Sequence, residues 1–362
     1  MAKKVIIAMS GGVDSSVAAA LLKKDGFDVV GVFMKFWADV EDNGLIGSQN
    51  KCCSPEAEKR ARKVASILGI PFCVFNFEKE FKEKIVDSFL SEYKKGRTPN
   101  PCVVCNKEIK FGLFLEKALS LDADFVATGH YARLWREFSI FNFQFSKYKL
   151  LRAKDKEKDQ SYFLWRLNQE QLAYILFPVG GYTKVEVKKI AKKLKLPVLD
   201  IPESVEICFV QTTINDFLKK QLKTKPGKII DEEGKTVGGH EGLWFYTIGQ
   251  RKGIGLAGGP YWVLNKDVKE NLLIVTKNEK ELYKKALLAK DVNWISDTEP
   301  RLPLKVKAKI RYRHTPVPAV IVNSLGSGAY NLEFDNPQRA VTLGQSVVFY
   351  KGQELLGGGV IK

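Results

Sequence analysis

The chain has 362 residues, a length that predicts two or three domains. Hydrophobic residues make up 45% of it, which is enough for real cores and too much for a disordered chain. The 58 basic residues outnumber the 41 acidic ones and give a net charge of +17. This excess suggests a polyanionic partner, with solvated lysine-rich faces as the alternative explanation. No signal peptide or apolar run of about 18 residues is apparent, so we expect a cytoplasmic enzyme rather than a membrane protein.

The first 130 residues alternate strand and helix patterns. Strands are predicted over Val5–Met9, Val29–Met34, Phe72–Phe77 and Phe125–Thr128. Helices are predicted over Asp14–Lys24, Pro55–Leu68, Lys79–Tyr93 and Ile109–Leu119. Such alternation predicts an α/β domain with a parallel sheet covered by helices on both faces. The polar segment 39–51 is expected to be a loop.

The pattern changes in the second half of the chain. Val185–Leu194 is a lysine-rich amphipathic helix, and Pro197 and Pro202 then mark a boundary. Short strand signals follow, and the tail from Ala289 predicts a small β-barrel or sandwich. We therefore predict a catalytic domain over 1–205, a central domain over 206–285 and a C-terminal β-barrel over 286–362.

A glycine-containing loop joins the first strand to the first helix. It runs Ser10-Gly11-Gly12-Val13-Asp14-Ser15-Ser16. The glycines let a ligand approach the backbone, and the N–H groups at the start of the helix favour an anion. The loop lacks the Gly-Lys-Ser/Thr of a Walker A motif. It predicts phosphate binding, with Asp14 as a candidate Mg²⁺ ligand; a capped glycine turn is the alternative.

Six cysteines are present, and Cys102-Val103-Val104-Cys105 stands out among them. A helix following this motif would lower a thiol pKa. Three interpretations are open: Cys105 and Cys208 are a reactive pair that passes sulfur, or Cys102 joins them as a ligand of a metal or an iron–sulfur cluster, or the thiols are buried hydrophobic groups. Cys73 is predicted to lie in the hydrophobic core, and Cys52 and Cys53 are predicted to have structural roles.

The segment from Lys305 to Arg313 alternates basic and mostly apolar residues. In a strand, this pattern places five cations on one face: Lys305, Lys307, Lys309, Arg311 and Arg313. Taken alone, such a face favours a solvated barrel surface. Together with the cations of the helix Val185–Leu194 and the family resemblance given below, it predicts contacts with RNA phosphates.

The phosphate loop resembles the PP-loop of the ATP pyrophosphatase superfamily, and the whole chain resembles the tRNA-specific 2-thiouridylase family. The matching stretches are Ser10–Ser16, Thr98–Phe111, Gly129–Arg133, Lys158–Leu164, Phe177–Gly180, Tyr246–Leu256 and Arg311–Arg313. Two details depart from some members: Cys102 stands where they carry Asp, and Ser204-Val205-Glu206 precedes Ile207-Cys208.

The resemblance implies 2-thiouridine synthesis at the wobble position of tRNAs for Lys, Glu and Gln, with ATP and Mg²⁺. It implies a sulfur donor, either a cysteine desulfurase or a relay protein. Cys105 is then the nucleophile and Cys208 the persulfide carrier, and the two form a disulfide during turnover. The remaining residues follow by match: for ATP, Ala8, Met9, Ser10, Gly11, Gly12, Val13, Asp14, Ser15, Met34 and Gly129; for the target base, Asn100, Pro101 and Cys102; for tRNA, His130, Lys158, Asp159, Gln160, Arg311, Tyr312 and Gln345.

Two rival functions remain at this stage. Another PP-loop enzyme, such as an amide-forming synthetase, would not need Cys105 or Cys208. An RNA-binding protein without catalysis would not need the phosphate loop. ATP–pyrophosphate exchange with and without tRNA distinguishes the three.

Overall fold

The computed structural model describes residues 2–38, 54–138, 145–201 and 207–362, and its first part is built around a parallel sheet. The strands up to residue 201 are β1 Lys4–Ala8, β2 Asp28–Lys35, β3 Phe72–Asn76, β4 Phe125–Ala127, β5 Ala132–Phe138, β6 Phe145–Arg152 and β7 Ile175–Leu176. Five of them form a sheet in the order β3-β2-β1-β4-β7, with every pair parallel. The predicted α/β class is therefore confirmed.

Helices cover this sheet, and their ends carry the expected signals. They are α1 Val13–Lys24, α2 Pro55–Leu68, α3 over 78–94, α4 over 101–119, α5 Gln169–Ala173 and α6 Lys184–Lys193. The middle parts of α3 and α4, Lys82–Asp87 and Asn106–Leu113, are π-helical. Ser54 caps α2 with its side chain, and Gly69 ends it in a left-handed conformation.

The helix that carries the Cys-x-x-Cys motif starts earlier than predicted. We expected it at Ile109, after the motif, but α4 begins at Pro101. Proline suits the first helical position because its fixed φ is helical and its missing N–H needs no partner there. Cys102 and Cys105 are consequently the second and fifth residues of α4, about one turn apart and on the same side of the helix.

The second half of the chain forms a small central domain and a barrel. The central elements are α7 Ile214–Gln221, β8 Gly227–Ile230, β9 Thr236–His240, β10 Trp262–Asp267 and β11 Leu272–Thr276. The barrel strands are β12 Tyr283–Trp294, β13 Leu304–Lys309, β14 Val317–Gly326, β15 Ala329–Arg339, β16 Ser346–Lys351 and β17 Glu354–Ile361. These six strands are joined in the order β12-β15-β14-β13-β16-β17, and pairing of β12 with β17 closes the barrel. The predicted C-terminal barrel is confirmed.

The hairpin of β5 and β6 ties the first domain to the barrel, which the sequence did not lead us to predict. Strand β6 pairs antiparallel with β17, where Leu150 faces Leu355. Close packing strengthens the junction, since a Cβ on Gly358 would lie 2.8 Å from the ring of Trp165. The Trp165 indole N–H also donates to Ser346 at 3.0 Å. The barrel is thus held directly against the catalytic domain.

The prediction of five cations on one strand face is wrong. Strand β13 ends at Lys309, so Arg311 and Arg313 lie beyond it. Lys305 and Lys307 are exposed, but Lys309 is only 6% exposed. Its ammonium lies 5.7 Å from the ring centroid of Tyr162, because this end of the barrel packs against the first domain.

Several predictions fall outside the described residues, namely those for Cys52, Cys53, segment 39–51, Pro202 and the residues before Ile207. The boundary predicted at 205 lies there too, and the domain boundaries stay predictions. Among the helices that the structure describes, none is long and apolar enough to cross a membrane.

Candidate active site

A large open cleft lies between the catalytic domain and the barrel, with a volume of about 1520 Å³. Its lining combines three groups that are far apart in sequence. They are the phosphate loop, the cysteines Cys102, Cys105 and Cys208, and the barrel segment from Lys309 to Pro316. Nine of the ten residues predicted to bind ATP line it: Ala8, Met9, Ser10, Gly12, Val13, Asp14, Ser15, Met34 and Gly129.

Gly11 and Gly129 shape the phosphate loop, because a Cβ at either position would collide with backbone atoms. Gly11 has a φ of 73°, and a Cβ there would collide with the carbonyl oxygen of Ala57. A Cβ on Gly129 would lie 2.6 Å from the backbone nitrogen of Ser15. Gly11 therefore supports the loop from behind without lining the cleft. The N-terminus of α1 lacks a side-chain cap and opens toward the cleft, as an anion site requires.

Asp14 is held by a lysine that the sequence did not reveal. The Lys184 ammonium donates to both carboxylate oxygens of Asp14, at 2.7 and 2.8 Å. The Tyr131 hydroxyl donates to Asp14 Oδ1 at 2.8 Å. Lys184 is only 7% exposed, and it occupies the first position of α6 behind a capping box of Thr183 and Glu186. Recognising that capping box would have placed Lys184 at the helix start, but not its contact with Asp14, which depends on the tertiary fold.

This arrangement fits a divalent cation at Asp14 in its donor chemistry. The carboxylate lines the cleft beside the phosphate loop, and oxygen donors of this kind suit Mg²⁺. Both oxygens are engaged by Lys184, so a cation there would share or replace that contact. Asp14 is thus the residue present that would hold Mg²⁺ next to bound phosphates.

The three candidate thiols share the cleft but differ in exposure. Cys105 is buried, whereas Cys102 and Cys208 are half-buried. Cys208 comes from the segment after residue 206 and packs with Ile207 at the edge of the main core. The fold thus brings the Cys102–Cys105 turn and Cys208 to one cleft, as the paired interpretation requires. Over the described ranges, no group of three His, Cys, Asp or Glu side chains is arranged to hold a metal ion.

The segment that leads into Cys102 is clamped by the barrel. The Gln345 side chain donates to the carbonyl oxygens of Thr98 and Pro99, at 2.8 and 3.3 Å. The Thr98 N–H donates to Leu343 at 2.9 Å. Gln345 therefore positions the segment before Cys102 from outside the cleft lining. Of the three predicted target-base residues, Pro101 and Cys102 line the cleft.

The predicted RNA-contact segment 158–160 also lines the cleft, but two of its side chains point inward. The Asp159 carboxylate accepts a hydrogen bond from Arg152 at 2.7 Å and is 3% exposed. Gln160 accepts from the Tyr131 N–H at 2.9 Å. Both side chains therefore shape the segment, and Lys158 is the cation that it presents to the cleft.

Comparison with known proteins supports the assignment of the whole chain. A family model described as "tRNA methyl transferase HUP domain" matches residues 3–212. Models described as "tRNA methyl transferase PRC-barrel domain" and "Aminomethyltransferase beta-barrel domain" match 215–277 and 284–361. The tRNA-specific 2-thiouridylase MnmA 2 of Geobacillus kaustophilus is 47% identical over 99% of this chain and 94% of its own. The chain belongs to the tRNA-specific 2-thiouridylase family.

A second full-length relative agrees with this family membership, whereas a solved structure adds nothing to it. The tRNA-specific 2-thiouridylase MnmA of Clostridioides difficile is 46% identical and covers all of this chain and 99% of its own. A crystal structure of a 4-thiouridine synthetase–RNA complex with bound ATP is 17% identical, covering 60% of this chain and 50% of that one. Its TM-score of 0.37 is too low to carry an argument.

His130 is a buried cleft residue in this member of the 2-thiouridylase family. Its ring shares a hydrogen bond of 2.7 Å with Thr128 and packs against Phe111 and Phe177. Burial, and to a lesser degree the charge of Lys110, lowers the pKa of His130 well below its ordinary value of 6.5. The imidazole is therefore neutral at physiological pH and can only exchange hydrogen bonds with a ligand.

The remaining residues that were predicted to contact RNA lie at the barrel rim. Arg313 is exposed at the cleft, and the Tyr312 ring lies 4.4 Å from that of Phe163. The Arg311 guanidinium donates to the carbonyl oxygen of Ala340 and, at 3.2 Å, to Thr342. Arg311 thus braces the barrel loop, outside the cleft lining.

The charge of the cleft favours a polyanion. Eight cations line it: Arg60, Lys110, Arg152, Lys156, Lys158, Lys184, Lys309 and Arg313. Four acids line it: Asp14, Glu56, Glu157 and Asp159. The net charge of +4, with histidines neutral, attracts both nucleotide phosphates and an RNA backbone.

Proposed function

We propose that this chain is an ATP-dependent tRNA 2-thiouridylase that modifies the wobble uridine of tRNAs for Lys, Glu and Gln. One observation carries the proposal: a single cleft joins a phosphate loop, three thiols and a cationic barrel rim. A nucleotide, a sulfur carrier and an RNA base can meet only in such a place. Membership of the family and the names of the full-length relatives support the same chemistry.

The first step activates the uridine. The C2 oxygen attacks the α-phosphorus of ATP, the bond to the β-phosphate breaks, and pyrophosphate leaves. The phosphate loop and the N-terminus of α1 hold the phosphates, and this positioning lowers the barrier without covalent help from the protein. Asp14 would hold Mg²⁺ beside the phosphates, where the ion would supply neutralisation of their charge. Adenylation converts a poor leaving oxygen into a good one.

The second step transfers sulfur. The terminal sulfur of a persulfide on Cys208 attacks C2, and AMP leaves with the original oxygen. The Cys105 thiolate then attacks the inner sulfur of Cys208, which breaks the S–S bond and releases 2-thiouridine. The enzyme is left with a Cys105–Cys208 disulfide, and a thiol reductant restores both thiols. The persulfide comes from a cysteine desulfurase or a relay protein.

The target base must leave its stacked loop to reach the cleft. Enzymes that act on a base generally flip it into a pocket and pay a few kcal/mol of unstacking energy. Asn100, Pro101 and Cys102 lie at the start of α4, where the barrel clamps the preceding segment. We assign this segment to the flipped uridine and Lys158, Tyr312 and Arg313 to the adjoining RNA.

An iron–sulfur cluster on Cys102, Cys105 and Cys208 is the alternative sulfur carrier. A ligated Cys208 cannot also carry a persulfide, so the two routes exclude each other within one turnover. The thiol route needs only Cys105 and Cys208 to meet in the cleft that they share.

The decisive experiment uses the purified chain with unmodified tRNA, ATP, Mg²⁺ and a persulfide source. Mass analysis of the digested nucleosides is expected to show wobble uridine with sulfur in place of one oxygen. Pyrophosphate release should require tRNA. Release of pyrophosphate with a small-molecule acceptor and no tRNA would instead identify an amide-forming PP-loop enzyme.

A further inference from the structure

A glycine-rich loop in the central domain is not used by the proposed reaction. The Gly-rich loop, residues 249–261, contains most of the matching stretch Tyr246–Leu256 and connects the short helix Leu243–Phe245 to β10. It lines a separate open depression of about 400 Å³ with Arg251, Tyr261 and several glycines. Its sequence carries two cations, Arg251 and Lys252, and no acid.

The loop exposes its backbone. Gly253, Gly255 and Gly258 are exposed and have φ values of 74°, 78° and 73°. No atom lies within 4 Å of the Cβ position of Gly255 or Gly258, so packing does not demand glycine there. The backbone N–H groups of residues 255–259 donate to no other group in the described part of the chain. These N–H groups are open to solvent or to a ligand, and consecutive N–H groups in such turns can form anion-binding concavities.

The base of the loop is nonetheless rigid. The Gln250 side chain accepts from the Thr247 N–H and donates to the Lys252 carbonyl, both at 3.0 Å. Backbone bonds of 2.8 and 2.9 Å join Gly249 and Gln250 to Val263. The two ends of the loop are therefore fixed to the central domain, which limits the conformations of the chain between them and lowers the entropy cost of binding.

The loop is connected electrostatically to the cleft. Arg339 of the barrel donates to the Gly249 carbonyl at 3.3 Å and also pairs with Glu279 at 2.8 Å. Burial and then the charge of Arg339 lower the pKa of Arg311. Burial, followed by Arg311, Lys309 and Arg339, lowers the pKa of His314 at the cleft. These cations therefore lie within range of one another, from the cleft to the loop.

Aromatic rings lie beside the loop cation Arg251 and beside Lys277, a cation outside the loop that contacts the loop residue Tyr261. The Arg251 guanidinium lies 5.7 Å from the ring centroid of Trp262, and the Lys277 ammonium lies 5.1 Å from that of Tyr261. Such contacts orient a cation while leaving its N–H groups available to an anion.

We propose that the Gly-rich loop is a second RNA-binding site, which holds phosphates of the tRNA backbone outside the nucleotide that enters the cleft. The inference rests on the proposed function, because it takes tRNA as the substrate. The loop N–H groups and Arg251 and Lys252 contact phosphodiester oxygens. The cations around Arg339 continue the path to the cleft. The site recognises backbone and not base sequence, since backbone N–H groups and cations read phosphate charge.

The test combines Arg251→Ala with Lys252→Ala and compares this double variant with Lys59→Ala plus Lys63→Ala. The control pair removes the same charge from exposed positions on α2. Binding of unmodified tRNA is measured over a range of salt concentrations. We expect the loop variant to raise the Kd about tenfold and to flatten the slope of log K against log salt by about two. The control pair should leave both unchanged.

Other arms separate the competing ligands. Affinity for a non-hydrolysable ATP analogue should not change; a loss would make the loop a nucleotide site and overturn the proposal. Single-turnover thiolation at saturating tRNA should match wild type with either a small-molecule persulfide or a sulfur-donor protein that carries a persulfide. A defect seen only with the donor protein would make the loop a protein-docking site. An unchanged tRNA Kd and slope would also overturn it.

Failure of the proposed function would be visible separately. A wild-type protein that binds tRNA but never forms 2-thiouridine would refute the function, while the binding comparison would still report on the loop.

Discussion

Lys184 places its ammonium 2.7 and 2.8 Å from the two carboxylate oxygens of Asp14, across 170 positions of sequence. The pair joins the N-termini of α1 and α6 at the floor of the cleft. Lys184 is further fixed by its own backbone N–H, which donates to Asp155 at 2.9 Å. Asp155 in turn accepts from the Lys158 N–H at 3.2 Å. The phosphate loop is therefore linked through Lys184 to the segment assigned to RNA.

Lys184→Met is expected to reduce ATP-dependent adenylation at least tenfold, because Asp14 loses the group that orients it. The assay is tRNA-dependent pyrophosphate release, in which the variant should show a lower kcat or a weaker response to added Mg²⁺. Lys184→Arg should recover part of the activity. The control is Lys154→Met, since Lys154 forms an exposed pair with Glu186 on the same helix and such pairs contribute about 0–1 kcal/mol. Equal activities of the two methionine variants would contradict the role of Lys184.

Cys105→Ser and Cys208→Ser should each abolish 2-thiouridine formation while ATP and tRNA binding persist. A serine hydroxyl can neither carry a persulfide nor resolve one. The matched control is Cys73→Ser: Cys73 lies on β3, burial raises its thiol pKa, and it does not line the cleft. The yield of modified nucleoside is measured by mass analysis. Near-normal yield from either cleft variant would refute the paired-thiol mechanism.

The sequence predicted the local elements better than it predicted what they face. Periodicity located the strands and helices of the parallel sheet because burial on one face leaves a repeating pattern. It could not show that β5 and β6 join the barrel, since the pairing of Leu150 with Leu355 brings together strands that are far apart in sequence. It also misjudged Lys309, whose burial comes from a domain contact. Alternation of residue types predicts which side chains share one face of a strand, but it does not predict which other part of the protein packs on that face.

Cys102→Asp separates the thiol route from the cluster route. If Cys102 only faces the target base, a carboxylate there should retain substantial thiolation, because it can serve as an acid or base in the same turn of α4. A cluster ligand replaced by Asp would instead lose iron and activity together. Anaerobic purification with iron analysis accompanies the assay. Activity that depends on reconstituted iron and disappears in this variant would establish the cluster.

Arg313→Ala should weaken tRNA binding and reduce the slope of log K against log salt by about one, since Arg313 is exposed at the cleft. Arg311→Ala should affect stability rather than the salt dependence of binding, because the Arg311 guanidinium donates hydrogen bonds to Ala340 and Thr342. It is expected to lower thermal stability, which is measured by calorimetry of both variants. Arg313→Ala with an unchanged slope would show that this residue is only a solvated cation.

The stability of the protein should fall as the pH drops below about 6.5, and His130 should account for much of the fall. Burial lowers the folded-state pKa of His130 well below 6.5, and it also lowers those of His240 and His314. The unfolded chain therefore binds more protons in this window, so the free energy of unfolding decreases with falling pH. Each histidine contributes at most about 1.4 kcal/mol per pH unit between its unfolded and folded pKa values.

Denaturant unfolding of wild type and His130→Asn at pH 7.5, 6.5 and 5.5 measures this dependence. The variant should be less stable at pH 7.5, because it loses packing against Phe111 and Phe177, but its stability should fall less between pH 6.5 and 5.5. The shifted carboxylates Glu56 and Glu92 do not affect this comparison. Their pKa values lie below the ordinary 4.5, so their contribution to the free energy of unfolding is lost only at lower pH. Parallel curves for the two proteins would show that His130 protonates freely in the folded state, and that the cleft is wetter at Thr128 than its packing implies.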